Sequence, residues 1–385
     1  MRKQNLWSAA LALLMPSLTA MANDGVYYTS GSMLIPIEET DIAINREVLS
    51  IVLDDSRYAK VVVDYEFYNP GERKTVRMGF EALPPSGDVM AFETFDEHPY
   101  IHDFTVEIDG KRLEYSNALA DITGDKTRLL NNDEWKPVYD GMQIVRKDDE
   151  EQVLEEYAIV YYFDVTFQRG LNHVHHTYYY DYSMAIGTTF DVPYWLRPAG
   201  RWAGGTIGDF TLLVCVPQTA KHFFLDCADF AGHEPEVYQG MAKVRKASDT
   251  AYEASVRDGV LRVHIGNYHP DADLSITSAD YLTSFSKSTP FAAFYDRSSE
   301  SALMWYDYAH EMDDSDDEEF VIDEKLRRDV LRNLPYAHRG RVFKRKDLDA
   351  YFRSLWWYMP DPDYTDDTSD FTPVDWSCVR QGSNK

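Results

Sequence analysis

Basic residues and cysteines are scarce in this sequence, and each scarcity excludes a class of function. Lysine and arginine together number 38, against 65 aspartates and glutamates, which gives a formal net charge of -27 at pH 7. A charge of this sign repels phosphate backbones, so nucleic acid is excluded as a direct partner of the whole chain. The three cysteines are too few and too widely spaced to predict a zinc site.

Long hydrophobic runs are missing after the first residues, so the mature chain is expected to have no transmembrane span. At the start, Arg2 and Lys3 precede the apolar stretch Leu6–Leu14, and the small-residue pattern Ala20-Met21-Ala22 follows. This order predicts a secretory signal peptide over residues 1–22. No cysteine follows the apolar run. We therefore expect an exported protein, periplasmic or extracellular, that is not a lipoprotein.

Alternating apolar and polar residues dominate residues 23–290, as in Tyr157–Phe167. The pairs Asp109-Gly110 and Asp258-Gly259 predict hairpin turns. No helical pattern separates successive strands. The sequence therefore predicts a mainly β fold, in which an antiparallel β-sandwich body of one or two sandwiches precedes a small α-helical C-terminal module.

Two cysteines of the body are candidates for a disulfide bond. Cys215 and Cys227 lie in strand-like sequence, and a bond between them would join two neighbouring strands. The alternative is that Cys215 is an ordinary small core residue.

A change of composition follows the body. Residues 291–319 are predicted to form a helix over Ser299–His310 and then an acidic linker, because seven of the nine residues 311–319 are acidic. The third segment, residues 320–385, has the opposite balance: Phe320–Arg353 holds ten basic and five acidic residues, a net charge of +5.

Two helices are predicted in this basic segment. Apolar residues at Leu326, Val330 and Leu334 mark one face of the first helix, which Pro335 is expected to end or interrupt. A second apolar stripe begins at Leu348, and it is made up of Leu348, Tyr351, Phe352 and Leu355.

The same segment resembles the YARHG domain. The resemblance is carried by the order of nine residues, which it marks as candidate binding residues: Asn333, Tyr336, Ala337, His338, Arg339, Gly340, Phe343, Trp357 and Tyr358. It implies a small bacterial module that works outside the cytoplasm and has no established molecular function. Here His338-Arg339 replaces the Arg-His order of the family. The body is similar, more weakly, to secreted bacterial domains of unknown function.

Chemical motifs are few. His173 and His175 share one face of a predicted strand and are candidate metal ligands, although a zinc site needs a third ligand from elsewhere. The alternative is that both are hydrogen-bonded polar strand positions. No nucleophile, metalloprotease or phosphate-loop motif occurs, so no catalytic residue is named and no cofactor is expected.

The leading functional hypothesis is a secreted, non-enzymatic interaction protein of the cell envelope. Its partner would be an envelope protein or an anionic or glycan component. The alternatives are a hydrolase of cell-wall or polysaccharide material and a metal-binding protein. The basic segment either binds an anionic surface, with Trp357 and Tyr358 among its apolar anchors, or docks on the acidic linker or the β body of its own chain.

Overall fold

The computed structural model describes most of the β-rich segment and almost all of the C-terminal module. The described residues are 26–27, 31–37, 40–83, 86–87, 98–123, 127–130, 135–137, 144–146, 157–185, 188–278 and 324–383. The predicted signal peptide, the helix predicted over Ser299–His310 and the acidic block 311–319 lie outside them.

Strands make up the described part of the body. In chain order they are β1 (Val26–Tyr27), β2 (Gly31–Ser32), β3 (Leu34–Pro36), β4 (Ala43–Leu53), β5 (Tyr58–Asn69), β6 (Lys74–Ala82), β7 (Ser86–Gly87), β8 (Ile101–Ile108), β9 (Lys111–Arg112), β10 (Ser116–Asp121), β11 (Arg128–Leu129), β12 (Trp135–Pro137), β13 (Ile144–Arg146), β14 (Tyr157–Phe167), β15 (Gly170–Asp181), β16 (Ser183–Ala185), β17 (Thr188–Trp195), β18 (Ile207–Asp226), β19 (Glu236–Lys246), β20 (Ala251–Tyr268) and β21 (Leu274–Ser278). Short 3₁₀ turns span Arg197–Arg201, Ala203–Gly205 and Ala228–Phe230.

The strands form two main sheets. The larger sheet has the order β7-β1-β16-β17-β21-β18-β4-β5-β15-β8-β9, with β2 beside β17 and the pair β20-β19 beside β18. The smaller sheet has the order β11-β10-β14-β6-β3, and β12 pairs with β13. The pairings are antiparallel except β4 with β18 and β2 with β17, which are parallel. The predicted mainly β, antiparallel fold with a small helical C-terminal module is confirmed.

Large aromatic side chains fill the space between the two sheets. Phe80 of β6 contacts Phe104 of β8 and Tyr178 of β15, with ring centroids 5.3 and 4.7 Å apart. All three side chains are buried. The period-two alternation along these strands places every second residue inside, which is why the sequence pattern predicted the sandwich.

The two predicted hairpin turns have different outcomes. Asp109 and Gly110 have φ of 48° and 76° and join β8 to β9, as predicted. Asp258-Gly259 lies inside β20, so the second prediction is wrong. A register shift between Val216 and Ala220 places a bulge opposite Asp258. The carboxylate of Asp258 accepts a hydrogen bond from the Gln218 N–H at 2.9 Å, which keeps the bulged strands paired.

The proposed disulfide bond is also wrong. Cys215 lies within β18 and Cys227 directly follows the end of the same strand, and both are free thiols. On the paired strand β20 the same stretch runs from Val260 to Ala251, roughly 30 Å at ~3.3 Å per residue, far beyond the reach of a disulfide. Burial raises the pKa of Cys227 to about 12, so its thiol is protonated and inert at neutral pH.

The strand β18 connects the sandwich to the module. Its first half, from Ile207 to Cys215, pairs with β4. Both halves, from Ile207 to Asp226, pair with β20, and β19 pairs with the other edge of β20. This sheet extension of β18, β20 and β19 supplies the surface on which the C-terminal module lies.

The module has three helices, α1 (Glu324–His338), α2 (Lys346–Ser354) and α3 (Pro373–Gln381). The helix α1 continues through Pro335 for one further turn, so the expectation that Pro335 ends or interrupts the helix is wrong. In α2 the Arg353 guanidinium pairs with Asp349 at 2.9 Å. Sequence patterns did not predict α3, although Thr372 and Asp375 form a capping box at its start.

Two ionisable side chains are buried in the core of the body. Glu47 of β4 and His176 of β15 are 0% exposed. Within the described residues, neither carboxylate oxygen of Glu47 and neither ring nitrogen of His176 has a hydrogen-bond partner. Burial therefore raises the pKa of Glu47 well above its ordinary value and lowers the pKa of His176 to about 3.

We expect the free energy of unfolding to decrease in both pH directions. The folded-state pKa of Glu47 is raised, so its share of stability is full below about 4.5 and is lost as the pH rises. The folded-state pKa of His176 is depressed, so its share is present above 6.5 and is lost as the pH falls toward 3. Each unit of difference between the folded-state and unfolded-state pKa changes the free energy of unfolding by about 1.4 kcal/mol.

The substitution Glu47→Gln isolates the first effect. Urea unfolding of this variant should give a stability gain over the wild type that grows from pH 4.5 to pH 8. The surface substitution Glu236→Gln, on β19, is the matched control and should leave the pH dependence unchanged. Parallel stability profiles for Glu47→Gln and the wild type would contradict a buried, protonated Glu47.

Candidate functional site at the junction of body and module

The aromatic residues of the YARHG-like motif build the core of the module. Phe343, Trp357 and Tyr358 are buried, and Phe343 stacks on Phe352 with ring centroids 4.6 Å apart. The Trp357 ring contacts the buried His338 ring at 4.9 Å. The hypothesis that Trp357 and Tyr358 are anchors for a foreign surface therefore finds no exposed ring to support it.

Arg339 joins α1 to the chain that precedes α3. Its guanidinium lies 2.7 Å from the Asp370 carboxylate, donates to the Pro335 carbonyl oxygen at 3.3 Å and covers the Phe371 ring at 4.1 Å. Tyr336 contacts the same Phe371 ring at 5.1 Å. Arg339 and Tyr336 therefore hold the end of α1 against the chain that precedes α3.

Gly340 ends α1 in a conformation that other residues avoid. Its φ is +83°, and the Arg341 N–H donates to the Tyr336 carbonyl oxygen at 3.0 Å, which closes the helix end. A Cβ atom at this position would overlap Nη1 of Arg257 in β20. The motif glycine is therefore needed both for its backbone angle and for the close approach of the body.

The body holds the module by its main chain. The docking segment, Trp356–Met359, follows α2 and lies on β19 and β20. Nζ of Lys243 donates to the carbonyl oxygens of its first and third residues at 2.9 and 2.8 Å. The Ser255 hydroxyl donates to the carbonyl of the second residue at 3.3 Å, and Nη1 of Arg257 donates to the last at 2.6 Å. All four carbonyls are thus satisfied by the body.

The side chain of Trp356 adds a charged contact. Arg245 lies over its ring at 4.4 Å, and the His222 ring lies 5.6 Å away. Glu253 accepts hydrogen bonds from His222 at 2.8 Å and from Arg245 at 2.6 Å. Burial acts to raise the pKa of Glu253, but the hydrogen bonds and charges of these two partners outweigh it and leave the pKa lowered. Glu253 therefore stays ionised and fixes Arg245.

The sequence left two alternatives for the basic segment, and the module's docking on the β body agrees with the second. The positive charges at the interface, however, are not those of the basic segment. The cations at the interface belong to the body, namely Lys243, Arg245 and Arg257. Arginines of the basic segment pair mainly within the module, as Arg341 does with Asp366 at 3.6 Å and Arg345 with Asp347 at 2.7 Å.

A cleft of about 470 Å³ lies between the body and the module, and we call it the junction cleft. Arg257 and Asp258 line it from β20, and His338 and Arg339 line it from the end of α1. The chain between α2 and α3 completes the wall with carboxylate, hydroxyl and phenol groups. The lining holds five carboxylates and two guanidinium groups: Asp258, Asp361, Asp363, Asp367 and Asp370 with Arg257 and Arg339.

A second cleft of about 520 Å³ lies on the module alone, and we call it the basic cleft. Four cationic side chains line it, namely Arg332, Arg341, Lys344 and Arg345. The motif residues Asn333 and Phe343 also line it, and so do two carboxylates, Asp361 and Asp366. Asp361 and Tyr364 line both clefts.

The proposed metal ligands lie elsewhere, on β15. Nδ1 of His175 is 2.7 Å from the Asp64 carboxylate, whereas the His173 backbone N–H donates to Asp109 at 3.1 Å. Among the described residues there is no group of three side chains able to hold a metal ion. Asp64 is therefore a carboxylate neighbour of His175. The described residues add no third metal ligand to His173 and His175.

Carboxyl groups with raised pKa values are found in the body. They are Glu47 and Asp191, whose pKa values burial raises. In the junction cleft, the Ser369 backbone N–H and then its hydroxyl lower the pKa of Asp367. Asp367 is therefore an ionised hydrogen-bond acceptor at neutral pH and is unsuited to act as a general acid.

Local sequence patterns did not reveal the residues that hold the junction together. Lys243, Ser255 and Arg257 lie on ordinary-looking strands, and no local pattern marks them, because their partners are main-chain carbonyls about one hundred residues away. A usable signal was present for α3, where Thr372-Pro373 and Asp375 carry the signature of a helix start.

The substitution Gly340→Ala tests the contact with Arg257. Gly232 is the matched control, because its φ is +84° and a Cβ atom added there would meet no other atom within 4 Å. Both alanine variants lose about 1–2 kcal/mol through the left-handed backbone. Gly340→Ala should lose more and should also free the module, which limited proteolysis between body and module would detect. Equal losses in urea unfolding and equal proteolysis would contradict the close approach.

None of the described helices is long and apolar enough to span a membrane. Residues 304–379 match the family model of the YARHG domain, and residues 22–152 match DUF4424, a domain of unknown function. No curated protein matches this chain.

Two solved structures illustrate the likeness of the fold. A candidate nutrient-binding protein from Legionella pneumophila is 18% identical, with 94% of this chain and 100% of that chain covered and a TM-score of 0.52. That likeness shows the fold alone. An M1 zinc metallopeptidase from Deinococcus radiodurans is 9% identical over 63% of this chain and 43% of that chain, and its TM-score of 0.23 carries no argument. The chain is a protein with a C-terminal YARHG domain and an N-terminal segment of the DUF4424 type.

Proposed function

We propose that this protein is an exported, non-enzymatic interaction protein of the cell envelope, and that the junction cleft binds a glycan component of that envelope. The observation that carries the proposal is the joint construction of the cleft. The body supplies Arg257 and Asp258, the YARHG domain supplies His338 and Arg339, and the docking segment holds the two parts together.

The chemistry of the cleft suits a ligand rich in hydroxyl groups. Each sugar hydroxyl both donates and accepts hydrogen bonds, so it needs donors and acceptors side by side. The carboxylate of Asp363 is an acceptor, and the hydroxyls of Thr365 and Ser369 both donate and accept. The Tyr364 ring adds an apolar face. Such a mixture gives orientation and specificity to a polar ligand.

The fixed junction also favours binding. A cleft between two parts that move independently must be ordered when the ligand enters, and that ordering reduces affinity. Here four carbonyls of Trp356–Met359 are already bonded to the body, and the Trp356 ring is covered by Arg245. The cleft walls are therefore set before a ligand arrives.

Export is part of the proposal. The arrangement of Arg2, Lys3, Leu6–Leu14 and Ala22 is that of a cleavable signal peptide without a following lipidation cysteine. The YARHG domain agrees with a place outside the cytoplasm. The description of the Legionella relative as a candidate nutrient-binding protein agrees with a binding role.

The substitutions Asp363→Asn and Thr365→Ala test the cleft, because both side chains are exposed lining residues. Calorimetric titration of the intact protein with soluble neutral envelope glycan fragments should give binding that each variant weakens about five- to tenfold, the loss expected for a net hydrogen bond of about 1 kcal/mol or slightly more. The control is Arg262→Gln, which removes a half-buried cation, paired with Glu236, from β20 outside the cleft and should leave affinity unchanged.

Two results would contradict the proposed function. Absence of binding of any fragment to the intact protein would remove the glycan site. The appearance of new reducing ends after incubation would favour the alternative, a hydrolase of cell-wall or polysaccharide material.

A further inference from the structure

We propose that the basic cleft of the YARHG domain is a binding site for an anionic group, a carboxylate or a phosphate. The inference rests on the proposed function for the class of partner, an envelope glycan, and adds that this glycan carries negative charges. The site is concave, holds about 520 Å³, and is lined by four cations in a chain whose net charge is -27.

Arg341 is the central residue of this site. Its guanidinium lies 5.0 Å from the centre of the Tyr336 ring and 6.0 Å from the centre of the Phe343 ring, so two aromatic side chains fix its direction. Its ion pair with Asp366 is long, at 3.6 Å, and the Asp366 side chain is 73% exposed. A ligand anion can displace such a carboxylate at small cost, because an exposed pair of this kind is worth about 0–1 kcal/mol.

Lys344 is the second available cation. It is exposed, it lines the cleft, and the described residues give it no hydrogen bond or ion pair. Arginine binds carboxylate and phosphate groups with two parallel hydrogen bonds, whereas lysine adds a mobile point charge. Arg341 and Lys344 together therefore provide one directional donor and one adjustable donor for the same anion.

The other two cations form the frame of the cleft. Arg345 binds Asp347 through two contacts of 2.7 and 2.8 Å and reaches Asp329 at 2.5 Å. Arg332 lies 3.1 Å from the same Asp329, whose side chain is nearly buried. Because these charges are already compensated, Arg332 and Arg345 shape the cleft, and the positive field that a ligand meets comes from Arg341 and Lys344.

The two clefts together orient an acidic glycan. Asp361 and Tyr364 line both, so a ligand longer than one sugar can contact both. The junction cleft holds five carboxylates against two arginines and therefore repels an anionic group. The negative group is directed to the basic cleft, and the uncharged hydroxyls are directed to the junction. Repulsion by the rest of the chain is short-ranged, because charges are screened over about 8 Å at physiological salt.

The experiment is calorimetric titration of the intact protein with three probes at two salt concentrations. Trigalacturonate supplies carboxylates on a sugar, inorganic phosphate supplies phosphate alone, and maltotriose is the uncharged probe. We expect at least one anionic probe to bind more tightly than maltotriose and to lose affinity as salt rises. Arg341→Gln should weaken that binding about tenfold or more, the loss expected for a charge-assisted hydrogen bond.

Lys344→Gln has a neighbouring matched control. Lys346→Gln removes the same charge two residues away, at an exposed position outside the cleft. We expect Lys344→Gln to weaken anion binding several-fold and Lys346→Gln to change it less than twofold. Binding of phosphate alone assigns the site to phosphate groups, and binding of trigalacturonate alone assigns it to carboxylates.

Failure of this inference is distinguishable from failure of the proposed function. If neither anion binds, or if Arg341→Gln leaves anion binding unchanged, the basic cleft is not an anion site. If neutral glycan fragments still bind and the substitution Asp363→Asn weakens them, the junction cleft keeps its proposed role. An adventitious anion interaction at many surface cations would show as equal losses for Lys344→Gln and Lys346→Gln, and that result would overturn the site.

Discussion

The docking of the module on the body centres on one guanidinium group. Arg257 of β20 is almost fully buried, and it donates to the carbonyl oxygen of Met359, faces the Asp361 carboxylate at 3.4 Å and lies against Gly340. Burial of an arginine is costly unless its donors find acceptors, and here Nη1 donates to Met359 while Nη2 donates to Asp361 and to the sulfur of Met241. Burial lowers its pKa, and the charges of Asp361 and Tyr358 oppose that change. The contact fixes the YARHG domain, and the junction cleft exists because the domain is fixed.

This contact gives the glycine of the motif a physical meaning within this chain. Gly340 has a left-handed backbone and no room for a side chain. Most of the other motif residues serve the inside of the module: Trp357 and Tyr358 are buried, and Arg339 connects α1 to Asp370. A large part of the motif therefore describes how the module folds and docks, and the surfaces left for partners lie beside it, in the two clefts.

The fold could be predicted from the sequence, and most of the site could not. Alternation in segments such as Tyr157–Phe167 is a local pattern that follows directly from burial of one strand face, so the sandwich was predictable. Asp109-Gly110 was recognised because a turn needs its special backbone angles locally. Asp258-Gly259 is the same dipeptide, but its long-range pairing keeps it inside β20, opposite the bulge of β18. The docking contacts of Lys243 join distant parts of the chain to main-chain atoms, which no local pattern encodes.

The most direct test of the central claim is a distance measurement between body and module in solution. Spin labels at Arg112→Cys on β9 and Lys346→Cys on α2, in a Cys215→Ser background, would be read by pulsed electron resonance. A rigid junction gives one narrow distance distribution in the intact protein, which broadens when Arg257→Gln removes the contact. A broad distribution with Arg257 in place would contradict a YARHG domain that is held by the body.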